Sequence, residues 1–451
     1  MAKKLWGGRF AKPTDPLVEE FTKSIQYDYK LAEYDLLGSM VHVEILRKAG
    51  YLSQKEGFRL YGVLKSIHKD ILAGKFRPDQ ASEDIHTDIH NKLQEKAGVL
   101  ALKLHTARSR NDQVVFATKL YCKTELLKLT ASIADLEMVI CRLAEHNDGM
   151  VIPGFTHMQH AQPVYLTDYL AAYGKMLKRD YDRLWFIAGN IKLTLGAGAL
   201  AGTPIEVANY IVKPSDYLKG IKKVAGHFDI QPADNSIDSV SDRDFVIETL
   251  GALSILGMHL SRLSEDLIMW STAEFDFIEI GDAFCTGSSL MPQKKNADVL
   301  ELVRGYAGRF YGNLMSVLTM MKGLPLTYNR DMQLDKEPLF NSLEIASSEL
   351  LLLAGLIKTV KFNKVKIEKA LEDESLYATD LVYYLVGKGV PFKTAHTIIG
   401  KLVKHSIDNE LAIKEMDEDE LKKFSNKLVR KEIIKLFDPK ISVGSKRSVK
   451  R

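Results

Sequence analysis

The sequence has few cysteines and almost no excess of charge. Its three cysteines, Cys122, Cys141 and Cys285, are too few and too scattered for a disulfide framework or a Cys-x-x-Cys metal site. We therefore expect free thiols in a reducing compartment, the cytoplasm. Lysine and arginine total 62 against 58 for aspartate and glutamate, and a net charge of +4 over 451 residues argues against nucleic acid or membrane as a partner.

Long apolar runs and strand patterns are equally scarce. Met1–Lys4 is followed by Trp6–Arg9 rather than by an apolar run, and no segment is predicted to span a membrane. No alternation of strands with helices favours a parallel sheet. With 46% hydrophobic and 27% charged residues, the chain is predicted to bury a large core divided among two or three domains.

Apolar residues do recur at spacings of three and four, which is typical of long amphipathic helices. Five such stripes predict an all-α fold with a long central helix bundle. One of the five helices is predicted to begin at Pro163. The stripes are Leu129, Ile133, Leu136, Ile140 and Leu143; Leu166, Leu170, Tyr173, Leu177 and Leu184; Phe245, Ala252, Leu256, Leu260, Leu263, Leu267 and Trp270; Val299, Leu302, Tyr306, Phe310, Leu314 and Val317; and Leu343, Ala346, Leu350, Leu353, Ile357 and Val360.

The stripes divide the chain into three predicted domains. Residues 1–112 form an N-terminal, mostly helical domain, residues 113–360 the long-helix bundle, and residues 361–451 a small helical domain. The basic tail Lys446–Arg451 is predicted to be a solvated end, with a phosphate-binding arm as the alternative.

Four polar segments interrupt the helices and are where we expect chemistry. The first, His105–Gln113, precedes a long helix, so Ser109, Arg110 and Asn111 are placed to hold a carboxylate at a helix N-terminus. The structural alternative is that Asn111 or Asp112 caps the helix.

The second and third segments carry residues suited to proton transfer. Pro153–Pro163 is predicted to be a loop in which His157 has hydrogen-bonding neighbours, although a lone loop histidine is more often structural. Gly287–Asn296 is predicted to be a mobile lid in which Ser288 can transfer a proton only if its surroundings stabilise an alkoxide. The alternative for such a Ser/Lys loop is plain surface.

The fourth segment, Leu324–Pro338, joins two predicted helices and is denser in polar side chains than a connector needs. Substrate recognition is the functional interpretation, and a hydrogen-bonded helix hairpin is the structural one.

Two further patterns favour structure over function. Gly196–Gly202 looks like a dinucleotide loop, but no strand is predicted before it, so tight packing or a turn is favoured. His86 and His90 have the spacing of helical metal ligands, with Glu83, Asp84 and Asp88 nearby. Because the HExxH arrangement is missing, no metal site is predicted.

Six motifs together resemble the argininosuccinate lyase family of the fumarase and aspartase superfamily. They are LWGGRF from Leu5, HTARSRNDQV from His105, PGFTHMQHAQPV from Pro153, NSIDSVSDRDF from Asn235, GSSLMPQKKN from Gly287 and YNRDMQLDKEP from Tyr328. The resemblance covers nearly the whole chain. It implies a homotetramer with active sites shared between subunits, and reversible cleavage of argininosuccinate to fumarate and arginine in arginine biosynthesis or the urea cycle.

The resemblance also implies roles for individual residues. His157 paired with Glu301, and Ser288, would transfer the two protons, while Lys294 and Asn296 would hold the carboxylate that gains charge. The implied substrate-binding residues are Ser24, Ser109, Arg110, Asn111, Thr156, Asn296, Tyr328, Gln333 and Lys336, with His86 and Thr87 as further candidates. No metal or organic cofactor is expected, because the substrate carboxylate itself accepts the charge.

Three positions depart from the family pattern. Ala107 replaces a usual glycine and Ala297 a usual proline, which bears on loop geometry, whereas His160 replaces an arginine and is expected to weaken one charge interaction. The alternative functions are a sister lyase acting on adenylosuccinate, aspartate or malate, a silent structural protein like the delta-crystallins, and a binding bundle.

Overall fold

Helices dominate the computed structural model, which describes residues 12–217 and 228–446. The predicted all-α class is confirmed. The LWGGRF motif at residues 5–10 and the basic tail from residue 447 lie outside the described residues.

Eighteen α-helices occur in the described residues. They are α1 Pro16–Thr22, α2 Ile25–Asp28, α3 Ala32–Lys48, α4 Gln54–Leu72, α5 Ile85–Ala97, α6 Arg110–His146, α7 Leu166–Asn190, α8 Pro214–Tyr217, α9 Ser236–Ser241, α10 Asp244–Trp270, α11 Asp298–Met321, α12 Lys336–Ile357, α13 Lys364–Ala370, α14 Ala378–Gly387, α15 Phe392–Asp408, α16 Glu418–Lys422, α17 Arg430–Ile433 and α18 Pro439–Ser445. Short 3-10 turns lie between several of them, including Arg330–Asp335, which leads into α12.

Three small sheets of two strands each occur in the same residues. The strands are β1 Val151–Thr156, β2 Gln159–Tyr165, β3 Thr194–Leu195, β4 Gln231–Pro232, β5 Ile278–Glu279 and β6 Lys361–Phe362. β1 pairs with β2 and β5 with β6 in the antiparallel sense, while β3 pairs with β4 in parallel.

The five predicted long helices are α6, α7, α10, α11 and α12. The stripes on α11 and α12 differ in burial. All six predicted residues from Leu343 to Val360, on α12 and just after it, are buried. On α11, by contrast, Leu302 is 61% and Tyr306 40% exposed. Part of the α11 stripe is therefore not buried within the single chain. The residues that α11 buries are Leu300, Val303, Ala307, Phe310 and Val317. Because α11 is apolar on more than one face, spacing alone does not select the face that the chain buries.

Two compact units account for the internal contacts of the chain. The first comprises the described residues within Met1–Ile133, Arg179–Met258 and Gly305–Glu349, and the second those within Ala134–Lys178, His259–Arg304 and Leu350–Arg451. The three-domain division stays a prediction.

Two helical stretches are apolar and long enough to cross a membrane, which the sequence analysis did not expect. In Asp244–Trp270 and Arg330–Ile357, 61% and 50% of the most apolar window is buried inside the protein. Core helices of soluble proteins pass the same test of length and hydropathy, so these two stretches are weak evidence for a membrane.

One carboxyl group in α12 is buried without a partner. Glu349 is 4% exposed, and neither of its side-chain oxygens has a hydrogen-bond partner among the described residues. Burial raises the pKa of Glu349 to about 8. Because the unfolded chain releases this proton near pH 4.5 and the folded chain holds it, stability falls as the pH rises from there to about 8.

We expect Glu349→Gln to remove this pH dependence. Between pH 6 and pH 8 the wild-type protein should lose on the order of 2 kcal/mol that the variant keeps. Thermal melts at fixed protein concentration measure the difference, and Glu344→Gln, at an exposed carboxylate on the same helix, is the control. Parallel pH profiles for wild type and Glu349→Gln would contradict the prediction.

Candidate active site

His157 lies at the tip of a β-hairpin rather than in the predicted loop. His157 and Met158 form the two-residue turn between β1 and β2, and Pro153 and Pro163 face each other in register across the two strands. Pro163 therefore does not begin a helix, because α7 begins only at Leu166.

The hairpin turn is conformationally costly. His157 has a φ of 55° and Met158 a φ of 61°, the left-handed region that two-residue hairpin turns require and usually fill with Asn-Gly. Each non-glycine residue there costs roughly 1 kcal/mol. Such strain concentrates at functional sites, and here it presents His157 and the neighbouring Thr156 as exposed side chains.

The segment that contains Ser288 is a loop closed at its base. Thr286 N donates to Asn296 O at 3.1 Å, and Asn296 N donates to Thr286 O at 2.8 Å. Lys295 pairs with Asp282 at 2.6 Å and with Glu279 at 3.4 Å, so the base is held by charge as well. Between these anchors most of the loop is exposed and Ser288 is half-buried, and the lid stays a prediction.

Two backbone N–H groups of the loop point at the hydroxyl oxygen of Ser288. Its Oγ accepts hydrogen bonds from the backbone N–H of Leu290 at 3.2 Å and of Met291 at 3.0 Å. Two converging N–H dipoles stabilise negative charge on the oxygen in the manner of an oxyanion hole. Lys294, on the same loop, is exposed and adds a positive charge.

Asn296 and Glu301 follow this loop in the chain. Asn296 Nδ2 lies 3.5 Å from Gly287 O, within the loop. Glu301 lies in the first turn of α11 with an exposed side chain, and its near neighbour Arg304 pairs with Glu265 at 2.6 Å.

The start of α6 holds a second group of predicted residues. Ser109 Oγ accepts from Asn111 N at 3.3 Å, so Ser109 provides the cap that the structural alternative assigned to Asn111 or Asp112. Asn111 Nδ2 donates instead to Ala199 O at 3.3 Å. The side chain of Asn111 thus ties the helix start to the glycine-rich segment.

The glycine-rich segment Gly196–Gly202 binds a side chain of the protein itself. Gly196 N donates to Asp112 Oδ2 at 2.9 Å. Burial raises the pKa of Asp112 to about 6, although N–H groups of the segment oppose the shift. The two-residue strand β3 does precede the segment, contrary to expectation, but no helix begins within Gly196–Gly202 and the favoured turn is what forms.

Arg110 is held by three partners around its guanidinium group. Nη2 donates to Thr87 Oγ1 at 3.0 Å, Nη1 to Gln113 Oε1 at 3.1 Å, and Nε lies 3.3 Å from Asp84 Oδ2. The guanidinium group is therefore fixed in orientation.

Ser24 and the histidines of α5 lie in buried polar surroundings of the same unit. Ser24 Oγ donates to Asp28 at 2.6 Å. His86 Nδ1 bonds Asp35 at 2.7 Å and His90 Nδ1 bonds His105 at 3.0 Å, so both have partners other than a metal. Within residues 12–217 and 228–446, no group of three or more His, Cys, Asp or Glu side chains is arranged to hold a metal ion.

The positive charge of Arg108 affects the buried histidines near it. Burial and the nearby Arg108 lower the pKa of His42 to about 3, of His90 to about 4 and of His105 to about 3. These three imidazoles are neutral at physiological pH. Burial lowers the pKa of Arg108 only to about 10, so its guanidinium stays charged.

The fourth polar segment joins α11 to α12 as predicted. Its Asp335 is fully buried between Arg243 Nε at 2.6 Å and Lys336 Nζ at 2.8 Å. Gln333 Nε2 donates to Thr22 O at 3.3 Å, and burial raises the pKa of Tyr328. The three predicted residues Tyr328, Gln333 and Lys336 are thus tied into the first unit.

Two of the three departures from the family pattern have structural consequences. Ala107 has a φ of 54°, so an alanine occupies a left-handed position that favours glycine. His160 Nδ1 lies 2.5 Å from Asp373 Oδ2; burial alone would raise the pKa of Asp373, but the hydrogen bond from His160 helps to lower it. The imidazole therefore keeps an interaction with this carboxylate.

The predicted site residues fall into two groups, one in each unit. Ser24, His86, Thr87, Ser109, Arg110, Asn111, Tyr328, Gln333 and Lys336 belong to the first, and Thr156, His157, Ser288, Lys294, Asn296 and Glu301 to the second. The meeting of His157 with Ser288 stays a prediction. The sequence analysis missed Asp35, Gln113 and Asp335, although a charged residue inside an apolar helical run, such as Asp35 in EYDLLG, was a usable indication.

The fold is shared with solved lyases. The structure matches EDDS lyase in complex with formate at a TM-score of 0.78 and 24% identity, covering 96% of this chain and 86% of that one. It matches the class II fumarase from Schistosoma mansoni at a TM-score of 0.78 and 17% identity, covering 92% and 91%. At these identities the similarity shows the fold alone.

Residues 8–312 match the family model described as lyase, which together with the fold defines the class of protein. Residues 375–444 match the argininosuccinate lyase C-terminal model. The chain is 46% identical to the argininosuccinate lyase of Ruminiclostridium cellulolyticum, covering 94% of this chain and 90% of the relative, and 45% identical to that of Geobacter sp. strain M21, covering 99% and 95%. The chain belongs to the argininosuccinate lyase family.

Proposed function

We propose that this protein cleaves argininosuccinate reversibly to fumarate and L-arginine. The observation that carries the proposal is 45% identity to a named argininosuccinate lyase across 99% of the chain. The reaction removes a proton beside a carboxylate and expels a guanidinium nitrogen, so it needs a base, an acid and donors for a developing dianion.

Ser288 is the proposed base. Its Oγ already accepts the N–H groups of Leu290 and Met291, and these lower the cost of the alkoxide that takes the substrate proton. The lid also carries Lys294 and Asn296. Their donors would hold the substrate carboxylate as it becomes an aci-type dianion, which stabilises the transition state more than the ground state.

His157 and Glu301 are the proposed pair for the leaving group. A carboxylate that accepts from an imidazole orients it and raises its basicity, so that the ring can give a proton to the departing nitrogen. The strained turn presents His157 in an exposed position, and Glu301 is exposed on α11, which suits a pairing completed by another copy of the chain.

The first unit would bind the remaining polar groups of the substrate. Arg110 is fixed by Thr87 and Gln113, and Asn111 and Ser109 lie beside it at the start of α6, where backbone donors favour an anion. The other proposed binding residues of this unit are Ser24, His86, Thr87, Tyr328, Gln333 and Lys336. Thr156 of the second unit also belongs to the proposed binding set.

Assembly as a homotetramer is part of the proposal. Large apolar side chains of α11 are between 40% and 62% exposed in the single chain; they are Leu302, Tyr306, Tyr311, Met315 and Leu318. Large apolar side chains along one helix favour burial against another copy. We further propose a cytoplasmic enzyme of arginine biosynthesis or the urea cycle that works without a metal or organic cofactor.

Substrate turnover by the purified protein tests the function directly. Argininosuccinate, adenylosuccinate, aspartate and malate are supplied separately without added metal, and fumarate is followed by its ultraviolet absorbance. We expect turnover of argininosuccinate alone. Turnover of another of these substrates in its place would identify a sister lyase, and no turnover of any would favour a crystallin-like structural protein.

A further inference from the structure

A closed ring of hydrogen bonds connects three helices in the first unit. From α6, Arg110 donates to Thr87 and to Gln113, and Gln113 Nε2 donates to Asp35 Oδ1 at 2.6 Å. His86, next to Thr87 on α5, closes the ring through its Nδ1 at 2.7 Å from the same Asp35 oxygen. Three proposed substrate-binding residues thus share one connection to α3.

Asp35 is the fully buried charged residue of this hydrogen-bonded ring. Its side chain is 1% exposed. Burial alone would raise the pKa of Asp35, but His86, Arg108 and the hydrogen bond from Gln113 lower it to about 2. The carboxylate is therefore ionised throughout the physiological range and can only accept hydrogen bonds.

An acceptor at this place determines which nitrogen of His86 carries a hydrogen. Because Asp35 cannot donate, Nδ1 of His86 must be the donor in this hydrogen bond. The other imidazole nitrogen, Nε2, takes no part in the contact with Asp35. His86 is 2% exposed, and its Nε2 has no hydrogen-bond partner among the described residues. A buried nitrogen without a partner costs about 1–3 kcal/mol, so a ligand group that pairs with it is favoured.

We propose that Asp35 is a positioning residue for substrate binding, acting through His86 and, by way of Gln113, through Arg110. The negative charge of Asp35 fixes the orientation of the His86 ring and leaves its Nε2 to pair with a polar group of the substrate, while Gln113 connects the same carboxylate to the guanidinium of Arg110. This inference rests on the proposed function, and it assigns Asp35 to binding rather than to proton transfer.

Asp35→Asn tests the inference because it keeps the shape and the accepting oxygen but removes the charge. We expect the KM for argininosuccinate and the dissociation constant for fumarate to rise about tenfold, with kcat changed less than about threefold. In a His86→Gln background the same substitution should change KM less than about twofold, since the residue it acts through is gone.

Two further variants keep the test decisive. Asp180→Asn, at a buried aspartate that pairs with Arg183 outside the ring, should leave KM unchanged. Gln113→Met removes the link to Arg110 without touching the Asp35 charge, and it should raise KM severalfold even if Asp35→Asn does not fold. Fumarate binding measured by calorimetry does not require turnover, so failure of the wild type to cleave argininosuccinate is separate from failure of this inference.

Wild-type KM and fumarate affinity in both Asp35→Asn and Gln113→Met would overturn the proposal. So would full additivity of Asp35→Asn with His86→Gln, because independent effects mean that Asp35 does not act through the imidazole.

Discussion

Ser288→Ala is expected to lower kcat for argininosuccinate by about a thousandfold or more, because it removes the proposed base and the charge that its two N–H donors stabilise. KM should change far less, since the hydroxyl acts in the transition state and contributes little to binding the ground state. Steady-state fumarate release measures both constants. A variant that keeps kcat within about tenfold of wild type would remove Ser288 from the chemistry.

Two control variants separate the chemistry of Ser288 from its role in the loop. Its Oγ accepts from Leu290 and Met291, so alanine also loses a local turn. Asparagine offers a side-chain oxygen for the same N–H groups but no hydroxyl, and we expect Ser288→Asn to be as inactive as Ser288→Ala. Ser289→Ala alters the adjacent exposed serine and should stay near wild-type kcat.

Asp335→Ala is expected to lower the free energy of unfolding by about 3–5 kcal/mol, because it leaves two buried cations without their counterion. Arg243 is 1% exposed and Lys336 about as deeply buried, at 5% side-chain exposure, and both contact the Asp335 carboxylate. Water cannot replace the lost partner in such surroundings. Chemical denaturation at fixed protein concentration measures the change.

Asp331→Ala is the matched control, since Asp331 lies in the same 3-10 turn but is exposed. We expect its effect to stay below about 0.5 kcal/mol. Equal stabilities for Asp335→Ala and the wild type would mean that the buried cations find other partners.

The sequence was sufficient for the buried faces of α10 and α12. Every predicted position on these two helices is buried, although α12 also leaves Leu351 64% exposed. On α11 the exposed Leu302 and Tyr306 belong to a second apolar face. The apolar residues of α11 fit helical spacing on both faces, and packing within the chain decides which of the two faces is buried.

The site was predictable where motifs are contiguous and not where partners are distant in sequence. Ser288 and Lys294 share one loop, so their proximity follows from the chain itself. Asp35 lies 51 residues from His86 and 78 from Gln113, and no spacing rule links them. The hairpin around His157 was missed because two prolines are usually evidence against a strand.

The facing prolines of that hairpin also bear on how the protein behaves at high concentration. A two-stranded ribbon ends in two edges, and an edge that nothing covers is a template on which a strand of another molecule can add. Neither Pro153 nor Pro163 has an N–H to offer such a newcomer. The ribbon can therefore project a histidine into solvent while discouraging the fibrous association that exposed strand edges otherwise promote.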